Sequence, residues 1–135
     1  MINSAEEFYQ LRTSENPEEY LKAAWDEAKT ETWLEIIKNY PDMAFWVAQN
    51  KTVSNEILGI LTDHEEWRVR SMIASKNKIT EEIQMKLALD HEALVRSSIA
   101  RNKKVTLKIL QMLRDDEDVE IREIVKQRIS ERKYK

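Results

Sequence analysis

The segment from Asp90 to Thr106, D-H-E-A-L-V-R-S-S-I-A-R-N-K-K-V-T, holds residue types that often carry chemistry in proteins. It places an Asp–His pair, an arginine and two adjacent serines within a few residues of one another. A histidine oriented by a carboxylate can act as a general base and can activate a nucleophilic hydroxyl. His64 also follows an aspartate, so the two histidines are candidates for a metal pair. Whether these residues form a site depends on the elements that position them.

The same residue types recur along the chain with a period of 26 residues. Seven columns follow this period: Val47, Ile73, Ile99 and Val125; Ala48, Ala74 and Ala100; Val53, Ile79 and Val105; Ser54, Thr80 and Thr106; Ile57, Ile83 and Ile109; Leu61, Leu87 and Leu113; Arg70, Arg96 and Arg122. A fixed period of this length is typical of repeat proteins that stack similar units. The Asp90–Thr106 segment is therefore expected to be one unit of a repeat.

Each unit has the pattern of a short helix, a polar turn and a second helix. Ser54, Thr80 and Thr106 each precede an Ile by three residues and a Leu by seven, which predicts a hydroxyl N-cap before one apolar stripe. Val95 and Ile99 show the four-residue spacing expected of the other helix. Neither helix can bury its stripe alone, so we expect successive units to stack.

The sequence predicts one all-α domain over residues 1–135, divided into three segments. Residues 1–40 are expected to form an aromatic-rich N-terminal helical cap, with a capping box at Ser4, a helix start at Asn16–Pro17 and a helix that is capped by Thr30 and runs through Ile37. Residues 41–129 are expected to hold the repeats, and residues 130–135 a charged tail that frays.

These repeats resemble the leucine-rich repeat variant family, a branch of the HEAT-like α-solenoids. The resemblance lies in the segment that starts at Asp90, D-H-E-A-L-V-R-S-S-I-A-R-N-K-K-V-T-L-K-I-L-Q-M-L, and in its counterparts at 63–88 and 115–129. It implies a short right-handed α-solenoid of about three 26-residue two-helix repeats. The repeats are slightly long for the family, and Ala44 stands where later units have arginine. An iron–sulfur cluster, which some members carry, is excluded because the chain has no cysteine.

Stacked repeats offer a structural explanation for each candidate catalytic group. Asp63 and Asp90 are expected to be helix N-caps, and the histidines that follow them to lie one repeat apart, too distant to share a metal ion. The arginine column either binds phosphate or, as we favour, pairs with acidic turns such as those at Asp90 and Asp116. Ser97–Ser98 lacks a base within its unit and is expected to permit close helix approach. We therefore predict no catalytic, metal or cofactor site.

Composition favours a protein of the cytoplasm. The chain has no cysteine, no secretion signal and no apolar run long enough to cross a membrane. Charge is uneven: residues 1–61 hold 11 acids and 5 bases, whereas residues 62–135 hold 14 acids and 17 bases. Eight of the ten aromatic residues lie in the first part, so its packing is expected to differ from that of the second.

Stacking would place the acidic turns on one edge of the molecule and the basic turns on another. The acidic turns contain Asp63, Glu65, Glu66, Asp90, Glu92, Asp115, Asp116, Glu117 and Asp118. The basic turns contain Lys51, Lys76, Lys78, Arg101, Lys103 and Lys104. Trp67, beside two glutamates, either anchors an interface or fills a gap against the aromatic cap. Each edge could steer a partner of opposite charge, or could simply be solvated.

Binding of another protein is the function that this pattern favours, because stacked repeats present a rigid surface. Compact HEAT-like proteins of this size resemble bacterial immunity proteins, which implies an inhibitor that blocks a basic nuclease toxin and is monomeric apart from its partner. The predicted partner-binding residues are Asp63, Glu65, Glu66, Trp67, Asp90, Glu92, Asp116, Glu117 and Asp118. The alternatives are nucleic-acid binding along the lysine-rich edge, disfavoured by the net charge of −3, and a scaffold or adaptor role.

Overall fold

The computed structural model describes residues 1–133, and this part of the chain is 67% helical and contains no strand. The helices are α1 (Ala5–Thr13), α2 (Pro17–Trp25), α3 (Thr30–Asn39), α4 (Ala44–Gln49), α5 (Asn55–Leu61), α6 (Trp67–Ala74), α7 (Glu81–Ala88), α8 (Ala93–Arg101), α9 (Leu107–Met112) and α10 (Val119–Lys133). A 3₁₀ turn, Pro41–Met43, leads into α4. The predicted all-α class is confirmed.

Hydroxyl caps begin the second helix of each predicted pair. The side chains of Ser54, Thr80 and Thr106 accept hydrogen bonds from the backbone N–H three residues further on, at the starts of α5, α7 and α9. These bonds satisfy N–H groups that a helix start otherwise leaves without a partner. The caps predicted from the 26-residue columns are confirmed, and they fix where these helices begin.

The predicted helix starts near the N-terminus are confirmed in two cases and wrong in the third. Ser4 caps α1 by accepting from the N–H of Glu7, and Asn16 caps α2 with Pro17 at its first position. Thr30, however, is the first residue of α3, so the cap position falls on Lys29, which offers no acceptor. Helix α3 also extends to Asn39, two residues beyond the predicted end.

The chain forms two compact units, and the first comprises Met1–Asp63. In this unit α2 packs against α4 and α3 against α5, while α1 packs against α2 and α3. Its interior is mostly aliphatic but includes two aromatic rings. The rings of Phe8 and Trp33 meet edge to face with their centroids 5.5 Å apart, and both side chains are buried. The segment predicted to be a cap thus contains a helix pair, α2 and α3, that packs on the pair α4 and α5.

The second unit begins at His64 and has an aliphatic interior. Helix α8 packs against both α6 and α10, and α7 packs against α9. The large apolar residues of the columns predicted from the sequence are buried here: Ile73, Ile79, Ile83, Leu87, Ile99, Val105, Ile109, Leu113 and Val125. Val69, Val95 and Ile121, which also recur every 26 residues, are buried as well. Within this unit, the first helices of successive helix pairs, α6, α8 and α10, therefore lie next to one another. The second helices, α7 and α9, also lie next to each other.

Helix α10 differs from the expectation of a fraying tail over residues 130–135. It continues to Lys133, whereas α8 ends at the equivalent of residue 127. Arg128 donates to the carbonyl oxygen of Arg101 at 2.8 Å, and Arg132 donates to that of Val105, so both guanidinium groups satisfy backbone oxygens of the preceding turn. The last two residues of the predicted tail, 134 and 135, lie outside the described residues.

Candidate protein-binding surface

Two arginines of the repeated column form buried ion pairs in the second unit. Arg70 donates from Nε and Nη2 to the two carboxylate oxygens of Asp90, at 2.7 and 3.2 Å. Arg96 makes the same pair of bonds to Asp116, at 2.8 and 3.1 Å. All four side chains are less than one-tenth exposed. The predicted pairing of the arginine column with the acidic turns is confirmed, and its two-bond geometry is that of a strong charge-assisted interaction.

The same arginines also bind backbone carbonyl groups of the acidic turns. Nη1 of Arg70 donates to the carbonyl oxygens of His64 and Glu65, at 2.8 and 2.9 Å. Nη1 of Arg96 donates to that of Asp90, and Nη1 of Arg122 to that of Asp116. Each guanidinium thus joins its own turn, and in two cases the next turn as well. We call the surface formed by turns 64–66, 90–92 and 116–118 the ladder edge.

The ion pairs determine the protonation of the buried carboxyl groups. Burial alone would raise the pKa of Asp90, but hydrogen bonds from Arg70 and from the backbone N–H of Glu92 outweigh it and lower that pKa. Asp116 behaves in the same way, with Arg96 and the N–H of Asp118 as donors, so its pKa is also lowered. The hydrogen bond to Asp116 raises the pKa of Arg96 against the effect of burial. All three groups are therefore charged at neutral pH.

The predicted N-cap role of Asp63 and Asp90 is wrong. The cap positions of α6 and α8 are Glu66 and Glu92, and neither makes a side-chain cap bond. The Asp90 carboxylate instead accepts the N–H of Glu92, two residues on, which shapes the turn before the helix. The Asp90 carboxylate does not cap α8 because two residues, His91 and Glu92, separate Asp90 from the first residue of the helix.

His64 occupies the position equivalent to Asp90 and Asp116, 26 residues before the first of them. Its Nδ1 accepts the N–H of Glu66 at 3.0 Å, as the aspartates accept the N–H two residues further on. This imidazole therefore has a structural partner. Among the described residues, no group of three or more histidine, aspartate or glutamate side chains is arranged to hold a metal ion.

The predicted partner-binding residues fall into two groups according to their exposure. Asp90 and Asp116 face the arginines, and their side chains are only 8% and 7% exposed, so their carboxylates hold the turns together. The exposed acids are Asp63, Glu65, Glu66 and Glu117, and the half-buried ones are Glu92 and Asp118. Asp63 belongs to the first unit. The ladder edge thus brings together Glu65, Glu66, Glu92, Glu117 and Asp118.

Trp67 lies at the start of α6, half-buried, beside a groove of about 280 Å³. Leu94, which is 53% exposed, and Asp118 also line this groove. The guanidinium of Arg68 lies 5.3 Å from the centre of the Trp67 ring. A large aromatic ring with one open side, next to exposed acids, is typical of an interface anchor.

Of the two adjacent serines, Ser98 has structural partners. Ser98 Oγ lies 2.6 Å from Ser71 Oγ and donates to the carbonyl oxygen of Leu94. These contacts join α6 to α8, as expected for small residues at a close helix approach. Ser98 also lines the groove beside Trp67.

The amide side chains that organise the basic turns were not anticipated from the sequence. Asn102 donates to the carbonyl oxygens of Ala74 and Lys76 and accepts the N–H of Lys104. Asn50 makes the corresponding bonds in the first unit, to Ala23, Asp26 and Thr52. Both amides are buried. The sequence gives little sign of this role, because the equivalent positions 50, 76 and 102 hold Asn, Lys and Asn, so the asparagine does not recur in every unit.

The predicted basic residues are mostly exposed. Lys51, Lys78, Lys103 and Lys104 are exposed, and Lys76 is half-buried. Arg101 is also exposed, but it donates to Glu120 at 2.9 Å, which offsets part of the positive charge.

No helix of the described residues has the length and apolar character required to span a membrane. Comparison of the chain with protein-family models, with curated proteins and with solved structures finds no match.

Proposed function

We propose that this chain is a protein-binding module that uses the ladder edge and Trp67 to hold a basic surface of another protein. The observation that carries the proposal is the division of the acids in each turn. Asp90 and Asp116 are held by arginines through two hydrogen bonds each, whereas Glu65 is exposed, Glu92 is half-buried, and Glu117 is exposed although its carboxylate lies 3.7 Å from Nη2 of Arg96. A recognition surface whose backbone is already ordered loses little conformational entropy on binding. Its negative charge also accelerates encounter with a basic partner.

Our more specific proposal is an inhibitor of the immunity-protein type, which blocks a basic nuclease toxin in the cytoplasm and is otherwise monomeric. The exposed carboxylates would occupy the positive cleft that such an enzyme uses for phosphates. We also propose that the helix pairs form a short right-handed α-solenoid of 26-residue repeats. The recurrence of the Arg–Asp pair at that period supports the architecture, because each pair joins one turn to the next.

Charge reversal of exposed acids tests the function. A variant with Glu65, Glu92 and Glu117 changed to Lys should lose the partners that the unaltered chain captures from a lysate at low salt. The control carries Glu15→Lys, Glu27→Lys and Glu35→Lys, which make the same charge change at exposed sites of the first unit. A captured protein should be a nuclease that the unaltered chain inhibits and the ladder-edge variant does not. Equal capture and inhibition by all three proteins would exclude the proposal.

Nucleic-acid binding along the basic turns is the second candidate, favoured by the exposure of Lys78, Lys103 and Lys104. It ranks lower because Arg101 already pairs with Glu120. Contacts to phosphates would make the affinity for duplex DNA fall steeply with added salt. Tight, salt-sensitive DNA binding that Lys103→Gln and Lys104→Gln abolish would favour this candidate over protein binding.

A further inference from the structure

We propose that the groove beside Trp67 binds one arginine side chain of the partner protein. This inference rests on the proposed function and deepens it, because it assigns the groove to a single residue type of the partner. One part of the groove is apolar and suits the methylene stem of an arginine. Another part carries carboxylates, which suit the guanidinium group.

The size of the groove suits a single side chain. Its volume is about 280 Å³, at the lower limit of the roughly 300–1,000 Å³ of clefts that hold small molecules. Its lining includes the short side chains of Ser71, Ala93 and Ser97. Ala93 stands 26 residues after Trp67, so a small residue follows a large one at equivalent positions and leaves space beside the ring. We therefore expect one extended side chain in the groove.

The apolar part of the groove is formed by Trp67 and Leu94. Trp67 is half-buried, and 53% of the Leu94 surface is exposed. A long basic side chain covers such apolar surface with its methylene groups while its charged end stays near water. Arg68 lies 5.3 Å from the centre of the Trp67 ring, but its charge is matched by Glu66 at 3.9 Å.

The charged part of the groove is formed by Asp118 and Glu120. Oδ1 of Asp118 accepts the N–H groups of Glu120 and Ile121, at 2.9 and 3.2 Å, which fixes its carboxylate at the start of α10. Glu120 pairs with Arg101 at 2.9 Å, so these two charges offset each other. We therefore expect the partner's guanidinium to bind Asp118.

The turn that contains Asp118 is negative after its own arginines are counted. All three acids of residues 116–118 interact with the one guanidinium of Arg96. Arg122 also interacts with this turn, through the carbonyl oxygen and the charge of Asp116. Two positive charges therefore meet three negative ones. The remaining negative charge attracts a cation and opposes a phosphate group.

The chain itself makes both of the contacts that the partner's arginine would make. The guanidinium of Arg12 lies 3.5 Å from the centre of the Trp46 ring. Arg70 and Arg96 each bind a turn aspartate by two hydrogen bonds. Arginine suits the groove better than lysine, because a planar guanidinium both packs on an aromatic ring and binds a carboxylate by two bonds.

The test is an NMR titration of the ¹⁵N-labelled chain with blocked tripeptides Gly-X-Gly, in which X is arginine, lysine or norleucine. The readout is the indole N–H signal of Trp67, assigned by its loss in Trp67→Phe. The arginine peptide should move this signal until it saturates. Its dissociation constant should be millimolar, because a single side chain buries little area. The lysine peptide should bind several-fold more weakly, and the uncharged norleucine peptide most weakly.

Asp118→Asn is the informative variant, because asparagine keeps the capping acceptor and removes the charge. It should weaken binding of the arginine peptide roughly fivefold. The control is Glu123→Gln, which makes the same charge change on α10 at an exposed residue outside the groove lining and should leave binding nearly unchanged. Ala93→Leu fills the groove without changing its charge and should abolish binding.

Four outcomes would overturn the proposal. Equal binding of the norleucine peptide would indicate an apolar anchor, and equal binding of the lysine peptide would remove the assignment to arginine. The other two are unchanged binding by Asp118→Asn and a Trp67 signal that the arginine peptide does not move at millimolar concentration. The proposed function fails by a different result, unchanged capture after reversal of Glu65, Glu92 and Glu117, which lie outside the groove lining.

Discussion

The two units of the molecule hold their helices together by different chemistry. In the first unit, Phe8 meets Trp33, Tyr9 stacks on Tyr40, and the Arg12 guanidinium lies 3.5 Å from the centre of the Trp46 ring. In the second unit, the interior is aliphatic and the turns are joined by Arg–Asp pairs. The two units share the buried asparagine that bonds to carbonyl groups of the preceding turn.

This difference separates the residues that maintain the fold from those that remain for binding. Aromatic packing itself requires no charged partner. The arginine pairs of the second unit require one acid in each of two turns and fix the backbone around the remaining acids. Each acidic turn of the second unit therefore contains an acid that maintains the fold and acids that can contact a partner. The composition of the turn alone does not distinguish the two kinds of acid.

The largest effect is expected from Phe8→Ala in the first unit. Removal of a fully buried ring should lower the free energy of unfolding by about 3–5 kcal/mol. Leu34→Ala, at a side chain that is 39% exposed, should cost far less. Urea denaturation of both variants checks the comparison, and similar losses would show that Phe8 is wrongly placed in the interior of the first unit.

Leu87→Ala is the corresponding change in the second unit. It opens a cavity in the aliphatic interior and should cost roughly 2–5 kcal/mol. Glu82→Ala, on the exposed side of the same helix, should be nearly neutral. Equal effects in denaturant unfolding would mean that the faces of α7 are reversed.

Asn102→Ala and Asn50→Ala test what the units share. Each removes one side chain that satisfies two carbonyl groups and one N–H, so each should cost about 1–3 kcal/mol. Asn77→Ala, an exposed residue of the same turn region, is the control. A large loss for only one of the two buried asparagines, measured by thermal unfolding, would contradict the equivalence of their roles.

A smaller effect is expected from acid, and it should distinguish the units. The pKa values of Asp90 and Asp116 are lowered in the folded state, so the stability from their pairing is complete above about pH 4. That contribution is lost as the pH falls through the lowered values. Hydrogen exchange at pH 3 and pH 6 should show α6 and α8 losing more protection than α1 and α3. Equal losses in both units would contradict the assignment.

The sequence predicted the features that depend on local spacing. The caps Ser54, Thr80 and Thr106 and the apolar columns follow from helix periodicity alone. The pairing of Arg96 with an acidic turn follows from the shared period. The period does not identify which acid pairs with Arg96, because residues 115–118 are four consecutive acids. The amide bonds of Asn102 were missed because they span 26 and 28 residues and depend on the exact approach of two turns.

The wrong predictions both concern side chains that favour helix N-caps. Asp90 has a good N-cap side chain, but its turn inserts two residues before α8, and the carboxylate is drawn to Arg70. Thr30 also has a capping side chain, yet α3 begins one residue earlier than a Thr30 cap requires. Side-chain preference predicts that a helix begins nearby. At Asp90, the tertiary contact with Arg70 takes the carboxylate away from the helix start.

The most direct test compares two neighbouring acids of one turn, Asp116 and Glu117. Asp116 is 7% exposed and holds Arg96 by two hydrogen bonds, whereas Glu117 is 88% exposed. Asp116→Asn should lower the free energy of unfolding by roughly 2–4 kcal/mol, because the buried guanidinium of Arg96 loses the carboxylate that binds it by two hydrogen bonds and keeps only the 3.7 Å contact with the exposed Glu117. Glu117→Gln should change it by less than about 0.5 kcal/mol. Equal losses for the two variants would contradict the division between structural and exposed acids on which the proposed function rests.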